Sequence, residues 1–432
     1  MDSQSSSFLQ ERKLHRLRCS VKSYDWGRRG NNSGVARLFA LNSGSVIQPD
    51  EPYAEFWMGT HESGPSFVVP TAGETGLPGV SLKSWISDNR DVLGDKVLDE
   101  WGSDLPFLFK VLSVAKALSI QAHPHKELAR ALHKARPDMY KDDNHKPEMA
   151  LAVTEFEALC GFISLEELKG VLLHVPEIVE LVSSADVNQI LHLNEQDGEE
   201  KVKSVLRSTF TQLMLASKEM ITEVISKIKS RLHKESQVRQ LTDKELLVLQ
   251  LEKQYPADVG VISAFFFNHV KLNPGEALYL GANEPHAYLS GECVECMATS
   301  DNVVRAGLTP KYRDVETLCS MLTYKQGMPE ILKGVPLNSY VMRYLPPFDE
   351  FEVDRCILPI GASTVFPAVP GPSIFMVMVG EGMMHARSSK GDVITEGDVL
   401  FAPANTQISI TTSASELQLY RAGVNSKFFQ TS

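Results

Sequence analysis

The sequence predicts a mainly β protein with an α-helical insertion, built as two jelly-roll barrels plus a helical domain. Three observations predict this class. Short apolar runs bounded by turn residues fill the first third of the chain. Residues 164–255 then switch to helical spacing. Strand texture resumes after that block, and one of its segments repeats another without a gap.

In chain order, "SGVARLFAL", "GPSFVVP", "LPFLFKVLSV" and "MALAVTEFEALCGF" read as short strands, and "SLKSWISDN" as a short helix. Ser164 and Glu167 form a capping box ahead of Leu165, Leu168 and Leu172, and Thr242 and Glu245 form a second one ahead of "LLVLQLEKQY". Between them Val202, Leu206, Phe210, Leu213, Ile221, Val224, Ile228 and Leu232 recur at helical spacing. The Lys and Glu residues of this block read as solvent coating. Strands are expected again from "VGVISAFFFNHVKL" to the C-terminus.

The repeat lays "PGEALYLGANEPH", residues 274–286, over "EGDVLFAPANTQI", residues 396–408. Gly275 meets Gly397, Leu278 meets Leu400, Tyr279 meets Phe401 and Asn283 meets Asn405. This pattern suggests two copies of one all-β unit, a double-sheet jelly roll. His286 in the first copy is Ile408 in the second, so a site using His286 belongs to the first copy alone.

The chain has 432 residues, 43% of them hydrophobic and 22% charged, with a net charge of −11. That balance argues against a nucleic-acid binder, which carries a basic face. No apolar run approaches the ~20 residues that span a bilayer. The opening "MDSQSSSFLQERKLHRLRCS" lacks the apolar core of a signal peptide, so no membrane is implied and a cytoplasmic location is expected. Six scattered cysteines fit it. Cys293 and Cys296 form a CxxC, but a zinc knuckle needs a second pair, and they read as half-buried strand residues.

The polar constellation begins in "LSIQAHPHKE", residues 118–127. On an extended chain Ser119, Gln121 and His123 share one face, and Leu118, Ile120 and Ala122 the other. Pro124 ends regular pairing, which leaves His125 in the following turn or helix start. In "KDDNHKPEMALAV", His145, Lys146 and Glu148 surround Pro147, and Glu148 opens an apolar strand. His286 and Tyr288 follow a turn at Pro285, and Glu295, Asp301, Arg305 and Lys311 come after them. An Arg in the apolar setting "NVVRAGLTP" calls for a partner anion. Gln121, His123, Glu148 and His286 make a metal set without thiolate, suited to Zn, Mn, Co or Fe. Polar turns and satisfied core histidines remain the bland alternative.

These residues also carry a resemblance. "YDWG", "YAEFWMGTH", "LSIQAHPHK", "HKPEMA", "VKLNPGEALYLGANEPHAYLSGECVECMA" and "SDNVVRAGLTPK" are similar to the type I phosphomannose isomerases, over nearly the whole chain. The resemblance implies a cupin, a helical insertion and a second, degenerate cupin. The expected boundaries are 1–160 and 258–330 for the catalytic cupin, 161–257 for the insertion and 331–432 for the C-terminal barrel. It implies one zinc per chain, held by Gln121, His123, Glu148 and His286, and an active-site arginine at Arg305.

The reaction implied interconverts D-mannose 6-phosphate and D-fructose 6-phosphate through a cis-enediol, feeding mannose activation to GDP-mannose. It moves a proton between C2 and C1, which needs a base and stabilisation of enediolate charge. Arg305 stays cationic and suits the second task. His145, Lys146 and Glu295 are the candidate bases. Ser119, Lys146, Arg305 and Lys311 are candidates for the 6-phosphate, and Trp26, Glu55, Tyr288 and Asp301 for the pocket lining. The expected partner is this small-molecule sugar phosphate, bound by a monomer. The competing readings are an Fe(II) cupin dioxygenase and a non-catalytic sugar-binding cupin.

Overall fold

A computed structural model describes residues 14–70, 79–386, 391–412 and 414–430; the first thirteen residues, read above for targeting signals, lie outside them. The described residues form sheets of eleven, eight, four and two strands, together with about a dozen helices.

The larger sheet is organised by the thirteen-residue strand His286–Ala298, flanked by Glu148–Ala152 and Phe107–Val114. Six strands run in the order Ala277–Leu280, Glu148–Ala152, His286–Ala298, Phe107–Val114, Glu55–Met58, Ser20–Lys22. The second sheet repeats that order with Val399–Ala402, Ser373–Val379, Leu417–Gly423, Glu352–Leu358, Val341–Tyr344 and Val335–Pro336. The repeat read from the sequence is therefore a repeat of topology.

It extends to the backbone. Asn283 and Asn405 both adopt left-handed φ, 62° and 58°, and Gly275 and Gly397 both sit near φ 90° and 87°. The amide of Asn283 donates to the His123 carbonyl at 2.7 Å, and that of Asn405 to the Val369 carbonyl at 2.6 Å. Turns that need the left-handed region explain why Gly and Asn recur there.

Strand alternation assigns each sheet two faces. Phe107, Phe109, Val111, Val294 and Cys296 of the first sheet share one buried cluster with Val353, Ile374, Met376, Phe401 and Tyr420 of the second, so the sheets pack face to face. On its other face the first sheet buries Leu112, Ala150, Ala152, Leu278 and Leu280. The second buries Phe375, Val377, Leu400, Cys356 and Leu419, closed over by Phe366, Met384, Ile408 and Ile410 of the four-stranded sheet.

The helical block begins and ends at neighbouring strands. Phe156–Phe162 pairs with Phe267–Leu272, and the helices from Leu165–His174 to Asp243–Gln254 lie between them. Both capping boxes form as read, at Ser164 with Glu167 and at Thr242 with Glu245.

Two expectations are corrected. "SGVARLFAL" is the helix Gly34–Ser43, not a strand. Ser33 caps it by accepting from the Ala36 amide, Val35 and Leu38 share one buried face, and Gly44 closes it in the left-handed region. A strand was read there because one helical turn of apolar residues looks like a short apolar run. "VGVIS" is likewise the short helix Val259–Ser263, capped by Asp258, and the strand starts only at Phe267. Cys293 and Cys296 are free and fully buried in the central strand.

Candidate functional site

Four strands bring the polar constellation together. His286 lies opposite Gln121 across one ladder, and Gln121 opposite Arg305 across the next. Directly opposed residues of antiparallel strands share a face, so the three side chains form a row. Glu148 opens its own strand, as expected. Its Oε1 lies 3.2 Å from His123 Nε2 and its Oε2 3.3 Å from His286 Nε2. One ligand atom from each of the three residues falls within 4.8 Å of the others, and all three residues are buried.

The tautomers follow from the outer partners. His123 Nδ1 meets the Asn302 carbonyl at 2.7 Å, and His286 Nδ1 meets the Glu284 carbonyl at 2.9 Å. A carbonyl only accepts, so each neutral ring carries its proton on Nδ1 and turns a bare Nε2 lone pair inward. Both Nε2 atoms are buried without a hydrogen-bond partner. They face carboxylate oxygens, which also only accept. Burial pushes the His123 ring down to about 4, against the pull of Glu148. Burial acts to raise Glu148, but nearby positive charge, with Lys146 3.3 Å away, opposes it and the carboxyl lies well below its usual range. Neutral rings around an ionised carboxylate leave converging lone pairs that a cation would satisfy.

A small cavity of about 60 Å³ opens on this cluster. Ser119, Gln121, Lys146, Glu148, His286, Tyr288, Glu55 and Glu295 line it, as does Lys110. Ser119 donates to the Gln121 amide oxygen at 3.2 Å. Lys146 Nζ lies 3.3 Å from Glu148. The Tyr288 hydroxyl is buried without a well-formed hydrogen bond, and burial, with Glu295 and Glu148 adding, pushes it well up.

Lys110 was not singled out from the sequence. Its ammonium lies 2.9 Å from Glu295, 3.2 Å from Glu55 and 4.9 Å from the Trp57 ring centre. Trp57 Nε1 donates to Glu55 at 2.6 Å. Burial acts to lower the ammonium, but Glu295, Glu55 and Glu148 outweigh it and hold it well above the lysine range. Burial also raises Glu295; Lys110 opposes this, while Glu148 and Glu55 add to it. The signal was a lysine inside "LPFLFKVLSV", since a buried ammonium needs carboxylate partners.

The other expected residues lie around this centre. Arg305 is half-buried, and its side chain makes no hydrogen bond or ion pair to a described residue. Asp301 is half-exposed and pairs with His61 at 3.1 Å, which lowers its carboxyl. Trp26 is partly buried against the cluster containing Leu112 and Tyr288. Lys311 is exposed in the loop after Val304–Gly307. His145 does not line the cavity; its ring is hydrogen-bonded to Glu350. His125 caps the helix Lys126–Ala135.

The model of the phosphomannose isomerase type I catalytic domain matches residues 14–165, and that of the helical insertion domain of the same type matches residues 178–267. Mannose-6-phosphate isomerase 1 of Arabidopsis thaliana is 65% identical over 96% of this chain and 95% of its own length. The chain belongs to the type I phosphomannose isomerases. The human mannose-6-phosphate isomerase is 40% identical over 94% of this chain and 97% of its own. A solved phosphomannose isomerase variant from Salmonella typhimurium superposes with a TM-score of 0.81 at 27% identity, covering 95% of this chain and 99% of that one. A mannose 6-phosphate isomerase solved with zinc and yttrium superposes with a TM-score of 0.79 at 28% identity, covering 95% and 99%. Family membership makes this chain an enzyme, an isomerase.

Proposed function

We propose that this chain is a zinc-dependent isomerase interconverting D-mannose 6-phosphate and D-fructose 6-phosphate through a cis-enediol. The observation that carries the reading is the pair of bare imidazole nitrogens facing an ionised carboxylate at the head of a polar cavity. Gln121, His123, Glu148 and His286 would hold one zinc, because two neutral rings, a carboxylate and an amide oxygen leave an open position for substrate. Zinc, when bound, supplies Lewis acidity to the sugar oxygens at C1 and C2.

The rest falls to side chains. A proton leaves C2 and returns at C1 while the O2 hydroxyl becomes a carbonyl and the O1 carbonyl a hydroxyl, with no net oxidation. Of the three candidate bases, Glu295 and Lys146 line the cavity and His145 does not. Burial raises the Glu295 carboxyl, which moves it in the direction a general base needs, against the pull of Lys110. Arg305, cationic and free of ion pairs to described residues, is available to the enediolate charge. Ser119 and Lys146, which line the cavity, are the leading candidates for the phosphate, and Lys311 does not line it.

The same reading takes the two topologically equivalent units as cupin barrels, bounded at 1–160 with 258–330 and at 331–432, around an insertion at 161–257. A coupled assay for fructose 6-phosphate formed from mannose 6-phosphate, with and without a chelator, tests it. Turnover that the chelator abolishes and zinc restores is expected. A zinc-loaded protein without turnover sinks the assignment, and chelator-insensitive turnover sinks the metal.

A further inference from the structure

Beyond the face-to-face packing of the sheets, the second unit reaches the first beside the candidate site. The segment after Val341–Tyr344 carries Glu350, which is 6% exposed, to the ring of His145. The segment is built to do so. Asn425 donates from its side-chain amide to the carbonyls of Pro346, Phe348 and Phe351 at 3.0, 2.8 and 3.3 Å. Its backbone amide donates to the Asp349 carbonyl at 3.2 Å.

On the other side, residues 141–147 lie in no helix or strand; hydrogen bonds fasten Asp142 and Asn144 to Thr299–Asn302 and Pro147 to Ala298, and the His145 side chain is held by Glu350. Neighbouring side chains of an extended segment point opposite ways. His145 accordingly faces away from the cavity to Glu350, while Lys146 lines the cavity beside Glu148. A loop that offers a long, flexible lysine to a substrate gains precision if its next residue is pinned from behind.

We propose that Glu350 is a positioning residue: it anchors His145 and so fixes the direction in which Lys146 enters the cavity. This gives the C-terminal unit a task in the isomerisation proposed above, on which the inference rests. Glu350 does not line the cavity, so the route open to it is through the loop.

The test uses the full zinc-loaded chain and four variants: Glu350→Ala, Glu350→Gln, Lys146→Ala and the Glu350→Ala/Lys146→Ala double variant. A displacement of about 1 Å near the reacting groups costs up to ~10²-fold, so Glu350→Ala should lower kcat by about tenfold or more. Zinc content should equal that of the parent protein. Glu350→Gln, which keeps an oxygen acceptor for His145, should restore most of kcat. In the Lys146→Ala background Glu350→Ala should have little further effect, less than about twofold, since groups acting as a unit are non-additive. Unchanged kcat in Glu350→Ala, loss of zinc, or an undiminished fall in the Lys146→Ala background would each overturn the inference. If the unaltered chain turned over no mannose 6-phosphate, the functional reading would fail instead, and the zinc and activity data separate the two cases.

Discussion

Two bare nitrogens and one carboxylate make up the candidate site at the scale of single residues. Because His123 and His286 spend their Nδ1 protons on backbone carbonyls, neither can donate to Glu148. Replacing His286 or Glu148 with Ala is expected to lower bound zinc and abolish turnover; metal analysis beside the isomerase assay checks it, and full metal content with full activity refutes the ligand set. Arg305→Ala should keep zinc and cut kcat by about 10²-fold or more, the range for one lost transition-state donor. Zinc loss in that variant would make Arg305 a structural residue. The four ligand candidates were legible in the sequence because period-two spacing and a strand-opening carboxylate survive translation into a sheet. Lys110, Trp57 and His61 were not. Their roles depend on which strands become neighbours, and that register is set by contacts far apart in the chain.

The elements show why local reading succeeds or fails. Capping boxes are local, so the ends of the insertion helices at Ser164 and Thr242 were read correctly. The helix Gly34–Ser43 was misread because its identity is decided by packing of Val35 and Leu38 and by Gly44. The strand Phe107–Val114 illustrates an electrostatic debt between elements: Lys110 answers Glu295 on one neighbouring strand and Glu55 on another. Removing one partner of a buried pair leaves unpaired charge, so Lys110→Ala should cost about 3–5 kcal/mol in urea unfolding of the zinc-loaded protein. A loss within 1 kcal/mol would mean, given the usual ~0–1 kcal/mol of an exposed pair, that water reaches the site. The sign of the pH dependence follows. The folded value of Lys110 is raised above its ordinary 10.5, so the folded state holds the proton longer. This contribution is fully present below pH 10.5 and is lost as the pH rises through the folded value; Lys110→Met should remove that part of the alkaline loss of stability. The turn before His286 is a second such element. Asn283 sits at φ 62°, and its side chain accepts from the His125 amide at 3.2 Å. Asn283→Ala loses both the left-handed tolerance and the bond.

Across the whole molecule, one topology is used twice with opposite contents. Following the strand registers, Phe366 stands opposite Ile408 as Gln121 stands opposite His286, and Ser373 occupies the place of Glu148. Val369 takes the place of His123, since its carbonyl accepts from the Asn405 backbone N–H as that of His123 accepts from Asn283. The buried charges are reversed as well: Lys110 lies between Trp57 and Glu295, and Asp354 between Arg343 and Arg421, 2.8 Å from each. The interior of the second unit is filled by Phe366, Phe375, Leu400, Ile408 and Ile410. Among the described residues the one cluster of His, Cys, Asp and Glu side chains suited to a metal is His123, Glu148 and His286 of the first unit, so the full chain is expected to bind one equivalent of zinc. Metal titration of the stripped protein, followed by activity, checks this: activity should return in step with the first equivalent. Ile408→His sharpens the measurement. It places a polar ring in a packed apolar core without partners, which should destabilise by roughly 1–3 kcal/mol. It should not raise the zinc stoichiometry, because no carboxylate stands at Ser373 to complete a site. A second tightly held zinc in the parent chain, or one gained by Ile408→His, would show that the apolar filling of the second unit opens more readily than close packing allows.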